Sequence, residues 1–281
     1  MIPCVWFVSK TARPWERALI GNMASAFRAR GAALSLYVDG GVAEVEAEGA
    51  QSWNALTGIE RISQALFSRR RLWHLWGEAP LWWGLVRLHS RTVHTSFEAR
   101  PSWRGHPTRF FPEPTREGEA LLIPTFNSRI SRIDCEDTAS IVYLRADAAS
   151  RALAYVLRER DLTATDLETF SFSASAAGNG VFLAGPSPSD ALRAAALTMY
   201  GWVTAGLMST SLNALLGGEG YVHVSDDTEE AWSVALETAV SAPGRAAAAA
   251  ARHFIQDRCS ADRSVDSLIA VYSNVLGDRF S

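Results

Sequence analysis

Apolar and polar positions alternate along this chain with two distinct periods. Short, nearly continuous apolar runs at 4–8, 33–38, 71–76 and 92–95 predict strands buried on both faces. Between them, apolar residues recur at steps of three and four. Ala18, Leu19, Met23, Ala26 and Phe27 define a helix over 15–30, stopped by Gly31. Similar patterns predict helices over 53–67 and 81–88. Residues 96–118 contain four prolines and read as a long irregular loop, and an apolar run at 121–124 closes the first half.

The second half repeats the alternation. Strands are predicted at 141–144, 169–173, 181–184 and 203–205, and helices at 148–158, 191–199, 229–240, 244–256 and 264–276. The segment 181–227 is the most informative, reading strand, turn, helix, strand, helix, strand. It places a Ser/Asp-rich helix start directly after a strand, where open α/β sheets bind phosphorylated ligands. The fold class predicted is α/β, with two Rossmann-like doubly wound parallel-sheet domains. A polar stretch at 127–138 marks the boundary. The predicted domains are 1–130 and 131–262, with a closing C-terminal helix in 263–281 that packs back on the first domain.

Composition narrows the function classes. The 281 residues are 48% hydrophobic and 20% charged, as in an ordinary globular protein. A net charge of −3 gives no argument for a nucleic-acid partner. Lys10 is the only lysine, and it sits at the end of the first predicted strand. Cys4, Cys135 and Cys259 are far apart and without metal spacing, which suits a reducing compartment. Met1 leads straight into a strand and no apolar run approaches the length of a bilayer, so a cytoplasmic location is expected. No P-loop, Gly-x-Gly-x-x-Gly or Ser-His-Asp motif is present.

The second half resembles a known family. Pro186-Ser187-Pro188-Ser189-Asp190 and then Ala196-Leu197-Thr198-Met199-Tyr200-Gly201-Trp202-Val203-Thr204-Ala205 are similar to the donor-side helix of retaining family-4 glycosyltransferases. Gly217-Gly218 through Asp226-Asp227 resembles that family's continuation. Arg71 to Gly77, Thr92-Val93-His94-Thr95 and Leu122 to Asn127 resemble its N-terminal motifs more loosely. The resemblance implies the GT-B architecture, two Rossmann-like domains facing a cleft. It implies a nucleotide-sugar donor, an acceptor that is a sugar, a protein or a lipid-linked molecule, a retaining outcome, and no metal or other cofactor. Two departures stand out. Ala196 occupies the place of the glutamate that binds donor ribose. The Gly-Arg-x-x-x-x-Lys-Gly phosphate loop is reduced to Arg145 and Arg151.

Each candidate residue has a functional and a structural reading. Arg145 and Arg151 suit donor diphosphate, since guanidinium pairs with phosphate oxygens, and equally suit a solvated surface. Ser187, Ser189 and Gly201 are donor-side candidates by the resemblance, and Asp190 a catalytic one; Ser187, Ser189 and Asp190 also fit helix capping. His94, ending a strand, is the second catalytic candidate. His74, Lys10, Arg13 and Glu16 are acceptor-side candidates, although Glu16 suits a helix start by charge alone. Trp73, Trp76, Trp82 and Trp83 read as core, or as a sugar-stacking or peripheral membrane surface at the inner face. Trp82 and Trp83 are adjacent, so both facing fully inward is not expected on a helix. The leading function is therefore a metal-independent glycosyltransferase. The alternative is a non-catalytic GT-B-like binding or scaffold subunit that has lost the donor glutamate.

Overall fold

The computed structural model describes residues 3–42, 45, 47–66, 71–95, 106–111, 119–126, 142–145, 150–166 and 180–277. The first elements in chain order are β1 (Cys4–Val8), α1 (Pro14–Ala29), β2 (Leu34–Val38), β3 (Ala50–Ser52), a 3-10 turn (Trp53–Ala55) and α2 (Gly58–Leu66). Then come β4 (Leu72–Trp76), α3 (Trp83–His89), β5 (Arg91–Thr95), β6 (His106–Phe110) and β7 (Ala120–Leu122). The next are β8 (Val142–Arg145), α4 (Arg151–Glu159), β9 (Ala164–Asp166), β10 (Gly180–Ala184) and α5 (Pro188–Met199). The last are β11 (Val203–Leu207), α6 (Thr210–Leu216), β12 (Val222–Val224), α7 (Glu229–Ala239), α8 (Ala242–Arg258) and α9 (Ala261–Leu276).

Residue contacts group these into two units. The first is Met1–Thr125 with Cys259–Ser281, and the second is Phe126–Arg258. In the first, seven parallel strands run in the order β3-β2-β1-β4-β5-β6-β7. Every residue of β1 and β4 is buried, because helices cover both sheet faces. Side-chain alternation sorts them. Trp6, His74 and Trp76 share one face with Phe27 of α1 and Tyr272 of α9. Val5, Phe7, Trp73 and Leu75 share the other with Tyr37, Trp53, Trp83 and Val86.

The tryptophan cluster is therefore core. Trp73, Trp76 and Trp83 are fully buried, so these three offer no sugar platform and no membrane surface. Trp82 is partly buried, stacked on Trp53 at 4.8 Å. Trp82, the N-cap of α3 with a helical backbone, packs against the rim of the same core that Trp83 enters.

The second unit is a five-stranded parallel sheet, β12-β11-β10-β8-β9. Its core joins Tyr143, Val181, Leu183 and Ala205 to Leu153 and Val156 of α4 and Trp232 and Leu236 of α7. Helix α5 is buried on nearly every side and packs against α6 and α8.

Several expectations change. The helix expected over 53–67 begins only at Gly58, after a short polar strand and the 3-10 turn. The stretch expected to be an irregular loop contains β6. The strand expected at 169–173 lies outside the described residues, and β9, which the pattern did not suggest, is found at Ala164–Asp166.

Candidate functional site

Parallel strands give each sheet one edge at which all carboxyl ends emerge. Ligands of open α/β sheets bind there, at the point where successive connections run in opposite directions. In the second unit that switch point lies between β8 and β10, which pair directly with Leu183 opposite Arg145.

The switch point gathers several of the expected donor residues. Arg145 is the last residue of β8. Arg151 opens α4 and is exposed, just after Ser150, whose Oγ caps the helix by accepting from the Leu153 amide at 3.1 Å. Ser187 and Ser189 lie at the start of α5, after β10. Gly201 does not join them. It follows the C-terminus of α5 and precedes β11, so it marks the opposite edge of the sheet, a helix length of about 18 Å away. Its φ of +89° explains the glycine as a left-handed helix stop, and the expected donor role is withdrawn.

The start of α5 is largely occupied by its own residues. The Ser187 hydroxyl donates to Asp190 Oδ2 at 2.7 Å, and the Asp190 amide donates to Ser187 Oγ at 3.1 Å. The Arg193 guanidinium donates to Asp190 Oδ1 at 3.3 Å, a pair with side-chain exposures of only 4% and 9%. Gly185 is packed against this carboxylate, since a Cβ there would sit 2.6 Å from Asp190 Oδ2. Asp190 therefore shapes the helix start, and with both oxygens engaged in a buried network it is not the catalytic group expected. Among the first-turn amides, Pro188 has none, and those of Asp190 and Ala191 bond Ser187. Among the described residues no bond from the Ser189 amide is found.

In the first unit the switch point lies between β1 and β4. The Ser9 amide donates to the Trp76 carbonyl, and the Ser9 and Thr11 hydroxyls are 3.1 Å apart. Thr11 Oγ1 accepts from the Glu78 amide at 3.2 Å. Gly77, at φ +91°, sits beneath this bridge, with Ser9 Cβ only 3.3 Å from where its own Cβ would be. Lys10 is exposed and Arg13 half-buried at this edge. Glu16 is buried and accepts from the Arg13 amide at 2.7 Å, so it caps α1 and is not placed to touch an acceptor.

His94 reaches the expected edge at the end of β5. It is buried, and its Nε2–H donates to the Gly77 carbonyl at 2.6 Å, which fixes the ring against the turn. His74 does not reach the edge. It is fully buried, stacked on Trp76 at 3.8 Å, with Nδ1 2.8 Å from the Tyr272 hydroxyl and Nε2 2.7 Å from Thr95 Oγ1. An acceptor cannot approach it. Burial, then the charge of His94, holds its imidazole well below the ordinary value.

Two arginines escaped the sequence reading. Arg17 donates to the carbonyls of Ala12 at 2.8 Å, Gly41 at 3.1 Å and Lys10 at 3.2 Å, tying the loops after β1 and β2 together. Arg193 secures the start of α5. Their one sequence signal is a guanidinium set among apolar helix positions.

An open groove of about 410 Å³ lies between α4 and α7. Glu159, Glu229, Glu230 and Glu237 surround it, and its Arg160 already bonds Ser233 and Glu237. Four carboxylates against one committed arginine make it unfit for a diphosphate.

No protein-family model matches the chain, and no curated protein does. Solved structures do. A glycosyltransferase from Rickettsia africae aligns over 98% of this chain and 99% of its own, at 9% identity and a TM-score of 0.61. Anabaena HepE, in complex with UDP and glucose, aligns over 97% and 100% at 9% identity and a TM-score of 0.57. Sucrose-phosphate synthase from Thermosynechococcus elongatus aligns over 98% and 99% at 11% identity and a TM-score of 0.56. At such identities the likeness is one of fold, and the fold is that of the GT-B glycosyltransferases.

Proposed function

We propose that this chain is a glycosyltransferase that moves a sugar from a nucleotide-sugar donor to an acceptor, without a metal ion and with retention. The observation that carries the reading is the switch point between β8 and β10. It brings Arg145, the start of α4 with Arg151, and the start of α5 to one sheet edge, and the start of α5 belongs to the segment 181–227 that resembles family-4 enzymes. The HepE complex with UDP and glucose supports a nucleotide-sugar donor.

In this reading Arg145 and Arg151 pair with the donor diphosphate and stabilise the charge that builds on it as the glycosidic bond breaks. The Ser189 amide adds one donor at the positive end of α5. Lys10 and Arg13 hold the acceptor, and His94 contacts the transferred sugar. Saturating UDP-, GDP- and ADP-sugars should raise the melting temperature, and one should turn over. Absence of both a shift and turnover with every donor would refute the reading.

One observation favours the alternative, a binding subunit without catalysis. Ala196 stands on α5 where the family's ribose-binding glutamate is expected, and α5 consumes most of its own first-turn amides. Ala196→Glu separates the two. Tighter nucleotide-sugar binding with turnover gained only in the variant supports an eroded enzyme, and turnover by the unaltered chain refutes that.

A further inference from the structure

Helices α2 and α3 pack side by side, and α3 covers one face of the first sheet. The inward residues of α3, Trp83 and Val86, are fully buried. Both helices also expose apolar residues. Ile59 and Ile62 stand in water on α2, as do Leu81, Leu85 and Leu88 on the approach to α3 and along it, with Leu81 fully exposed. The spacings of three and four residues place each set along one side of its helix. Single exposed aliphatics need no explanation, but four on two neighbouring helices, with Leu81 just before α3, form a patch that does.

One end of this patch is basic, in a chain whose net charge is −3. Exposed Arg91 opens β5, where it pairs with Leu72, and exposed Arg87 lies on α3, while half-buried Arg71, just before β4, donates to Gln64 Oε1 at 2.7 Å. The nearby carboxylates lie toward the other end. Glu78 follows β4, and Glu60 accepts from the Thr57 amide at 2.7 Å at the start of α2. Among the described residues no helix is long and apolar enough to cross a membrane.

We propose that the α2–α3 face docks on an anionic lipid bilayer, with the leucines and isoleucines at the acyl boundary and the arginines on headgroup phosphates. Guanidinium suits phosphate oxygens, and aliphatic side chains flanked by cations suit the interface of a bilayer. Two-fold pairing with a second copy fits less well, because a self-complementary contact brings the same arginine-bearing face against itself. This surface is unrelated to the tryptophans, which are core.

The test uses the full chain and vesicles of phosphatidylcholine alone or mixed with phosphatidylglycerol. The chain should float with the mixed vesicles only, and less so as salt rises. Leu85→Asp with Leu88→Asp should abolish flotation while leaving the melting temperature within the range of surface variants. Arg91→Gln should weaken partitioning about fivefold. Absence of flotation with anionic vesicles overturns the proposal, as does flotation indifferent to these substitutions. A concentration-dependent dimer that the leucine variants break, without lipid binding, assigns the face to a second copy and overturns it equally.

Discussion

Replacing Tyr272 with phenylalanine removes one proton from a buried relay whose direction is fixed. The His94 carbonyl only accepts, so Thr108 donates to it at 3.3 Å. Thr95 must then donate to Thr108, 2.5 Å away, and His74 Nε2–H to Thr95. A neutral His74 therefore presents a bare Nδ1, which takes the Tyr272 proton. In Tyr272→Phe the ring still meets Phe27, but Nδ1 is left buried without its donor. An orphaned buried acceptor costs about 1–3 kcal/mol. For a unit of roughly 150 residues that is about 2–12 °C in melting temperature. Calorimetry checks the shift, and nitrogen NMR of the unaltered chain should show a single Nε2–H tautomer of His74.

The relay also sets a pH dependence. Burial lowers the folded pKa of His74, so below the ordinary value of 6.5 the unfolded chain binds a proton that the folded chain lacks. Its contribution is complete above that pH and falls by about 1.4 kcal/mol per pH unit below it, until the folded pKa is reached. His74→Phe should remove this part of the slope. A His74 that titrates normally in the folded chain, or a Tyr272→Phe variant as stable as the parent, would refute the reasoning.

Other outcomes follow from the second sheet. Gly185→Ala forces a methyl onto the Asp190 carboxylate and should cost about 1–3 kcal/mol in urea unfolding, a cost absent if the helix start can slide. Asp190→Ala should cost about 3–5 kcal/mol by stripping the countercharge from buried Arg193, and Asp190→Ala with Arg193→Met should recover much of it; a double variant no more stable than the single one counts against the pairing. Gly201→Ala strains a left-handed position yet should leave nucleotide-sugar affinity unchanged, whereas Arg151→Ala should weaken it about 10- to 100-fold by calorimetric titration. Equal effects of the two on affinity would place the site elsewhere. Burial pushes the Cys4 thiol up to about 12, so it should resist alkylation at pH 8 until the chain unfolds.

The strands that form the centre of each sheet were legible because burial on both faces demands unbroken apolar runs, as in Cys4–Val8 and Leu72–Trp76. β3 and β6 were not, since Ala-Gln-Ser carries no such run and β6 contains Pro107 among polar residues. A motif also has no compass. Gly201 belongs to the same family-like string as Ser187, yet helix α5 carries it to the far edge. Glu16 and Asp190 illustrate another limit: an acidic residue in the first turn of a helix looks the same in sequence whether it caps or catalyses. Strand order is set by long-range pairing, so neither switch point could be read from the sequence.

The return of α9 to the first unit bears on how the chain is made. Its first 125 residues emerge from the ribosome without the helix that supplies Tyr272, and Ser267, whose hydroxyl accepts from the Ile123 amide at 3.0 Å. The second unit, contiguous from Phe126 to Arg258, is complete before α9 is synthesised. Vectorial synthesis thus lets the later unit finish first, while the earlier one waits with the covering over His74 and Phe27 open. A stop codon between residues 259 and 272 spares the whole second sheet and damages the first.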